Sequence, residues 1–235
     1  MKYPGRTVII ALCCVFFMTA TATHSWAGEK RWVEVEGVEN LRDIGGYSAE
    51  GKTLAWGRVY RAADISGITD GGIAALGELG VVTVVDLRPH GDTEDLRNRL
   101  ETSGIRLVSL PMEKDDLSNK AEFYRRIIVL SRESLTELLY LAADEDTLPI
   151  LLFDEEGIDE VEVATMFLMG AAGVSRDDLV LDYLLSNQAG ADVREEWGHH
   201  IVDYFDEYGG IRYYMNAILD IPQTTIDLIQ NNLIR

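Results

Sequence analysis

Cysteine is almost missing from this sequence. The 235 residues include 2 cysteines, Cys13 and Cys14, and both lie in an N-terminal segment that we expect to be removed. Residues 28–235 therefore contain no side chain that could form a disulfide or act as a thiolate nucleophile. Every kind of cysteine-based catalysis is excluded for that part of the chain, and its stability must come from the core alone.

Basic residues are also scarce. The chain has 21 Lys and Arg against 40 Asp and Glu, which gives a formal net charge of -19 at pH 7. A surface of this charge repels nucleic acid and anionic lipid, and it slows the approach of phosphorylated molecules. We therefore expect no nucleic-acid partner. The expected partner is a protein or a small-molecule ligand, whose identity the sequence leaves open.

Long apolar runs are missing as well, except for one near the N-terminus. Lys2 and Arg6 precede an apolar run of 11 residues that begins at Val8, and small and polar residues follow it. This order is typical of a cleavable secretory signal, and the run is too short to span a bilayer. The sequence predicts a signal peptide over residues 1–27 with cleavage after Ala27. We expect an exported protein, periplasmic or extracellular, without a stable membrane anchor after cleavage.

The remaining chain shows no internal repeat, no low-complexity block and no long linker rich in proline or serine. Short apolar runs rich in β-branched residues alternate with longer helical patterns, which indicates an α/β fold. We predict one domain over residues 28–235. The expected strands are 32–35, 59–61, 81–85, 105–108 and 150–153, and the third and last are apolar enough to lie in the centre of the sheet.

Helices are expected between these strands and over most of the C-terminal half. Thr69 is placed as the N-cap of a helix that ends at Gly80, and a helical stretch over residues 120–143 has a possible break near Ser131. After residue 153 the pattern is almost wholly helical. The expected segments there are 161–172, a helix capped by Ser175, 190–208, 211–219 and 223–234.

The segment 154–160 joins an expected central strand to an expected helix. In an α/β sheet, the loop that leaves the carboxyl end of a central strand and enters a helix N-terminus is where ligands, especially anions, usually bind. We expect the helix that follows to be buried behind the sheet through Val163, Phe167 and Ala171. We therefore expect any ligand site to lie at this loop.

Several stretches of the sequence resemble one known family. They read Asn-Leu-Arg-Asp-Ile-Gly-Gly-Tyr at 40–47, Gly-Arg-Val-Tyr-Arg-Ala at 57–62, and Val-Asp-Leu-Arg at 85–88, with helical tail motifs at 173–187 and 209–214. Together they resemble the bacterial tyrosine and lipid phosphatase family, which consists of single-domain, cysteine-dependent phosphatases. The resemblance covers residues 32–234. It implies a cysteine-phosphatase-like central sheet flanked by helices, with a helical C-terminal half.

The resemblance breaks at the catalytic loop. In the family this loop reads His-Cys-Thr-Ala-Gly-Lys-Asp-Arg-Thr-Gly, whereas residues 153–162 read Phe-Asp-Glu-Glu-Gly-Ile-Asp-Glu-Val-Glu. Gly157 and Asp159 match the family. Asp154 stands in the position of the cysteine nucleophile, and Glu160 stands in the position of the phosphate-binding arginine. These four positions correspond to a catalytic loop whose nucleophile and arginine are replaced, and we expect none of them to be catalytic.

Each replacement removes a requirement of the family's reaction. The thiolate is the nucleophile that forms a phosphoenzyme, and the arginine holds two phosphoryl oxygens in the transition state. A carboxylate at Asp154 is a far weaker nucleophile toward a phosphate ester, and Glu160 replaces attraction by repulsion. Six of the nine residues from Asp154 to Glu162 carry carboxylates. The sequence therefore predicts a catalytically inactive protein of the phosphatase fold that acts by binding.

Other motif residues have expected roles around this loop. The resemblance implies a general acid in the loop after the 105–108 strand, where Asp115 or Asp116 could match it. The alternative for these two residues is capping of the helix that follows. Four motif residues are expected to form buried ion pairs that hold the loops around the site: Arg42, Asp43, Arg61 and Arg88.

Alternatives remain open for the acidic loop. The chain could keep a residual or altered phosphatase activity, although Glu156 departs from the motif of phosphatases with an aspartate nucleophile. Asp154, Glu156 and Asp159 could hold Ca²⁺ or Mg²⁺, since clustered carboxylates bind such cations, although the spacing is not that of an EF-hand. A third alternative is structural: Asp154 or Glu155 accepts hydrogen bonds from the loop N–H groups and complements the helix dipole.

The crowding of carboxylates carries an expectation about pH. Like charges that share a site raise one another's pKa values. The folded protein would then bind more protons than the unfolded chain near those pKa values. We therefore expect the contribution of this loop to stability to rise as the pH falls from neutral toward about 5.

Overall fold

The structure is a computed structural model, and it describes residues 31–90 and 93–235. The expected signal peptide lies outside the described residues. Within those ranges, no helix is both long and apolar enough to cross a membrane.

A central sheet contains β1 (Arg42–Asp43), β4 (Val59–Ala62), β5 (Thr83–Asp86), β6 (Arg106–Ser109) and β7 (Ile150–Phe153). These strands run in the order β1-β4-β7-β5-β6, and the neighbours are parallel except for β1 and β4. A separate hairpin pairs β2 (Ser48–Ala49) with β3 (Lys52–Thr53). The predicted central positions of the strands near 81–85 and 150–153 are confirmed, because every residue of β5 and β7 is buried.

Helices surround the sheet and make up most of the chain after β7. They are α1 (Asp70–Glu78), α2 (Glu94–Thr102), α3 (Lys120–Leu130), α4 (Arg132–Ala143), α5 (Asp159–Ala172), α6 (Arg176–Leu184), α7 (Glu195–Asp206), α8 (Ile211–Ala217) and α9 (Gln223–Leu233). Short 3₁₀ segments cover Glu145–Thr147 and Leu185–Ala189.

The helix ends follow the local chemistry of the sequence. The Thr69 hydroxyl accepts a hydrogen bond from the Gly72 N–H, and the Ser175 hydroxyl accepts one from the Asp178 N–H, so both predicted N-caps are confirmed. The predicted break at Ser131 separates α3 from α4. Gly173 ends α5 with a φ of 93°, a left-handed conformation that costs glycine little.

The helix α5 lies in the centre of the fold. All of its residues from Glu160 to Ala172 are buried, and they pack between the sheet and the C-terminal helices. Val163, Phe167 and Ala171 have no exposed surface, as predicted. The Phe167 ring packs edge-on against Phe205 at a centroid distance of 5.0 Å. A buried side chain of this size stabilises the fold by about 1.5–3 kcal/mol relative to an exposed one, so α5 anchors the loop before it.

The strand predicted at residues 32–35 is wrong. This segment makes isolated bridges from Trp32 to Arg42 and from Val35 to Val38. The Val38 N–H donates to the Val35 carbonyl at 3.1 Å, so the chain reverses before a regular ladder can extend. The β-branched residues of the segment fit an extended backbone, but the turn limits it to a short, irregular edge.

Candidate functional site

The loop after β7 lies where the sheet topology predicts a ligand site. Since β4, β7 and β5 are parallel neighbours, the loops that follow them meet at the carboxyl edge of the sheet. The Asp64 N–H, in the loop after β4, donates to the Glu155 carbonyl at 3.3 Å. The loop after β7 is therefore held against the loop after β4 and leads directly into α5.

Gly157 fixes the shape of this loop. Its φ is 72°, and a Cβ at this position would lie 2.7 Å from Asn40 Nδ2 and 2.8 Å from the Ala63 nitrogen. The Gly157 carbonyl accepts hydrogen bonds from Asn40 Nδ2 at 2.9 Å and from Arg61 Nη2 at 3.1 Å. A side chain cannot fit here without a shift of the backbone, which explains why a glycine is needed at this position.

The carboxylate of Asp154 points into the loop. One oxygen accepts a hydrogen bond from the Gly157 N–H, and the other accepts one from the Val161 N–H at 2.9 Å. These two N–H groups are termed the N–H cradle below. Val161 lies in the first turn of α5, where backbone N–H groups lack partners within the helix and favour a negative charge.

The structural alternative for the loop therefore agrees with the geometry of Asp154. Its side chain is buried, and an internal carboxylate occupies the position that the loop and the helix N-terminus would offer to an anion. Burial raises the pKa of Asp154, and the hydrogen bonds from Val161 and Gly157 act in the opposite direction. The N–H cradle is thus preserved and filled by the chain itself.

Glu160, which the resemblance aligns with the phosphate-binding arginine, is also buried, and a lysine pairs with it. The Lys114 Nζ lies 2.8 Å from Glu160 Oε2, and it reaches the loop from the segment after β6. The pKa of Glu160 is raised to about 7: burial is the largest cause, the charge of Asp154 acts in the same direction, and Lys114 opposes both. The predicted repulsion between loop carboxylates is therefore present, but burial is the larger cause. Asp154, Glu160 and Lys114 together are termed the loop site.

Sequence reasoning missed Lys114. Burial disfavours its charge, but the hydrogen bond and the ion pair with Glu160 raise its pKa above the ordinary value. Lys114 is the one basic residue between positions 111 and 119, directly before the two aspartates considered for the general acid. An isolated positive charge in an acidic chain is the sequence feature that could have identified Lys114 as a partner of the loop carboxylates.

The two aspartates that follow do not cap the next helix. The N-cap of α3 is Asn119, whose side chain accepts a hydrogen bond from the Glu122 N–H at 3.1 Å. Asp115 instead pairs with Arg126 at 2.7 Å. The capping interpretation of Asp115 and Asp116 is wrong, because Asn119 lies at the residue where the helix begins. Their assignment as a former general acid stays a prediction.

The three carboxylates considered for a cation do not converge. Asp154 is engaged with the N–H cradle, Glu156 is exposed, and Asp159 accepts a hydrogen bond from the Tyr124 hydroxyl at 2.8 Å. Across residues 31–90 and 93–235, no group of three or more His, Cys, Asp or Glu side chains could hold a metal ion. The geometry therefore gives no support to a Ca²⁺ or Mg²⁺ site built from this trio.

A second group of charges lies beneath the loop. This arginine cluster consists of Arg31, Arg42, Arg61, Glu162 and Asp182. Arg61 Nη1 lies 2.5 Å from Glu162 and 3.1 Å from Asp182. Arg42 Nη2 lies 3.5 Å from the same Asp182 carboxylate. The predicted burial and ion pairing of Arg42 and Arg61 are confirmed.

The two carboxylates of the arginine cluster differ in their pKa shifts. Burial raises the pKa of Glu162 to about 7, although Arg61 opposes this. Burial also acts to raise the pKa of Asp182, but Arg42 and Arg61 outweigh it, so the result is a lowered pKa. Neither Glu162 nor Asp182 was identified as a partner from the sequence, because their contacts cross more than 100 positions of the chain.

Arg88 and Asp43 hold neighbouring loops in different ways. Arg88 pairs with Asp86 at 2.7 Å and with Asp64 at 2.9 Å, so its predicted ion pairs are confirmed. The Asp43 carboxylate accepts backbone N–H groups from Gly45 at 2.7 Å and Gly57 at 2.6 Å. The expectation of an ion pair for Asp43 is wrong, because the turns of its own motif place two backbone donors closer.

The chain is similar in sequence to known phosphatases. The model of the tyrosine phosphatase family matches residues 33–235. A Cupriavidus necator protein that is provisionally named a tyrosine-protein phosphatase is 27% identical over 176 residues. The match covers 67% of this chain and 64% of that protein. The chain therefore spans just under two thirds of that relative. The triple specificity protein phosphatase PtpB of Mycobacterium tuberculosis is 23% identical over 214 residues, 74% of this chain and 75% of that one.

Solved structures show the same fold at lower identity. The core catalytic domain of the PP-IP phosphatase SIW14 from S. cerevisiae, in complex with citrate, has a TM-score of 0.53 and 17% identity. The match covers 79% of this chain and 97% of that domain. At this identity, the likeness shows the α/β fold and carries no information on substrate.

Proposed function

The chain belongs to the tyrosine phosphatase family, and we propose that it is a catalytically inactive member which acts by binding. One observation carries this proposal: the Asp154 carboxylate accepts the N–H groups of Gly157 and Val161. Those donors lie in the loop and helix N-terminus that the resemblance assigns to phosphate. A phosphate ester would have to displace a buried side chain that is part of the same loop.

The electrostatics of the loop site support the same proposal. At an effective dielectric of about 20, two charges about 4 Å apart interact by roughly 4 kcal/mol. In the family, the arginine attracts the phosphate by an energy of this order, whereas Glu160 repels it. Lys114 compensates the charge of Glu160 but does not restore the planar, two-pronged contact of an arginine. No thiol exists in residues 28–235 to form a phosphoenzyme.

The test is a hydrolysis assay on the purified protein, with p-nitrophenyl phosphate and a phosphotyrosine peptide as substrates. We expect no turnover above a buffer blank. An Asp154→Ala variant, purified in the same way, is the matched control, because contaminating phosphatases would act equally in both preparations. Turnover that persists through purification in the wild-type protein and is lost in the variant contradicts the proposal.

We further propose that the protein is exported and acts in the periplasm or outside the cell. The order of charged, apolar and small residues over residues 1–27 supports this. Cell fractionation and N-terminal sequencing test it: the mature chain is expected in the exported fraction and to begin at Gly28. An intact N-terminus on protein found in the cytoplasm contradicts it.

A further inference from the structure

A groove runs along the edge of the sheet beside β1. It has a volume of about 740 Å³ and is lined by residues 32–36, 38–41, 188 and 189. It is termed the edge groove. Its floor is apolar, with Val33, Val38 and Leu41, and one wall is held in place by a hydrogen bond from Trp32 Nε1 to Gln188 Oε1 at 3.2 Å.

The rim of the edge groove is acidic. Glu34, Glu36 and Glu39 are all exposed, and the described residues that line the groove include no Lys, Arg or His. An apolar floor surrounded by negatively charged carboxylates complements a ligand that carries both apolar and cationic groups.

The backbone of the edge groove is that of an incomplete strand. Trp32 bridges to Arg42 of β1 in antiparallel fashion, and the Val33 N–H donates to the Leu41 carbonyl at 3.1 Å. In an antiparallel pair, successive residues direct their backbone groups to opposite sides. The N–H and C=O groups of Trp32 therefore face away from β1, toward the position of an additional strand.

An extended peptide fits these three features better than a small cation does. A strand that adds to the sheet edge gains main-chain hydrogen bonds, and its alternate side chains meet opposite faces. We propose that the edge groove binds an extended segment of a partner protein in which apolar and basic residues alternate. This inference rests on the proposed binding function and names the class of partner.

The groove is also connected to the loop after β7. Asn40, which lines it, donates from Nδ2 to the Gly157 carbonyl and accepts at Oδ1 from Arg42 Nη1 at 2.7 Å. A bound segment would therefore lie beside the loop that contains Gly157.

The test measures fluorescence anisotropy of labelled peptides with the whole protein. The probe is an octapeptide of alternating valine and lysine. The controls are alternating valine and glutamate, alternating serine and lysine, and the valine-lysine peptide with N-methylated backbone amides. We expect the probe to bind, and each control to bind at least about tenfold more weakly, because each lacks the charge, the apolar groups or the strand donors.

Matched protein variants locate the binding. A Glu34→Lys/Glu39→Lys variant should weaken binding of the probe by about tenfold or more, since it reverses two rim charges. A Glu133→Lys/Glu137→Lys variant makes the same change of net charge on the exposed face of α4 and should bind like the wild-type protein.

The inference would be overturned by equal loss of binding in both variants, by equal binding of the serine-lysine peptide, by equal binding of the N-methylated or the valine-glutamate peptide, or by no binding of the probe. The first two would show attraction by net charge alone. Failure of the groove inference is distinguishable from failure of the proposed function. Turnover of phosphate esters would contradict the proposed inactivity whatever the peptides do, whereas absence of peptide binding without turnover refutes only the groove inference.

Discussion

The loop site and the arginine cluster are neighbouring groups of charges with opposite balance. The loop site has two carboxylates and one lysine, whereas the arginine cluster has three arginines and two carboxylates. The arginine cluster is buried, whereas the Lys114 side chain is 32% exposed. The residues expected to stabilise this fold most therefore lie in the arginine cluster, apart from the loop positions that the family's reaction would need.

The two sites also differ in how they can respond to the loss of a partner. A carboxylate with a pKa near 7, such as Glu160, can take up a proton when its lysine is removed. Asp182 has no comparable route when Arg61 is removed, because its pKa lies below the ordinary value and its carboxylate stays charged near neutral pH. We therefore expect substitutions in the arginine cluster to cost far more stability than substitutions in the loop site.

The largest effect is expected from Arg61→Met. This change leaves Glu162 and Asp182 buried without their shared partner, and breaking a buried ion pair in this way costs about 3–5 kcal/mol. Urea unfolding measures the loss, and Arg125→Met, which removes an exposed pair with Glu122, is the control. A loss of stability as small as that of the control would contradict the expected importance of the arginine cluster for stability.

An intermediate effect is expected from Asp154→Ala. The change leaves the N–H groups of Gly157 and Val161 without an acceptor, which costs about 1–3 kcal/mol for buried donors. Asp154→Asn keeps one acceptor oxygen and should lose less. Thermal and urea unfolding of the three proteins rank them, and equal stability of wild type and Asp154→Ala would mean that the N–H cradle finds another acceptor.

A smaller effect is expected from pH. The folded-state pKa of Glu160 is about 7, above its ordinary value of 4.5, so the folded protein binds more protons than the unfolded chain between those values. Stability from this group is full below about pH 4.5 and is lost as the pH rises through about 7. Glu162 acts in the same direction, whereas Asp182, with a lowered pKa, loses its contribution only at more acidic pH.

A Glu160→Gln variant isolates this contribution. Unfolding free energies at pH 5, 6.5 and 8 should increase toward pH 5 less steeply in the variant than in the wild-type protein. We expect the difference between the two dependences over this pH range to be about 2–2.5 kcal/mol, since the pKa rises from 4.5 to about 7 and one pKa unit corresponds to about 1.4 kcal/mol. Identical pH dependences would contradict the raised pKa of Glu160.

The smallest effect is expected from Lys114→Met measured at pH 6. Glu160 can then be protonated in the folded state, so the loss should be about 1 kcal/mol or less. At pH 8 the same change should cost more, because the uncompensated carboxylate is charged, and Lys114→Arg should restore stability there. A cost at pH 6 equal to that of Arg61→Met would remove the distinction between the two sites.

Local patterns in the sequence predicted most of the fold. The apolar run at 150–153 gave β7, and hydroxyl residues placed before helical patterns gave the caps at Thr69 and Ser175. The short strands β1, β2 and β3 have two residues each and carry no periodic signal that could identify them. The misassigned strand at 32–35 has strand-like residues, but the chain turns back between Val35 and Val38, where the Val38 N–H donates to the Val35 carbonyl.

The candidate site was predictable to the extent that it depends on one loop. The acceptor role of Asp154 followed from a carboxylate placed between a buried strand and a helix N-terminus. The pairing of Lys114 with Glu160, and that of Arg61 with Asp182, depends on which segments the tertiary fold brings together. Composition and spacing carry no information on such contacts, which is why the sequence indicated the repelling charges but not the residues that neutralise them.

The carboxylate held in the N–H cradle also determines what would be needed to reopen the site. A tethered group has an effective concentration of millimolar order even on a flexible linker, and the short, buried side chain of Asp154 is far more constrained than that. Free phosphate would have to exceed this effective concentration to displace the carboxylate, and therefore competes poorly with it. A change at position 154 alone would empty the N–H cradle but leave Glu160 facing the incoming anion, and a change at position 160 alone would leave the N–H cradle occupied. A return to phosphate binding thus requires coupled substitutions, neither of which is useful by itself.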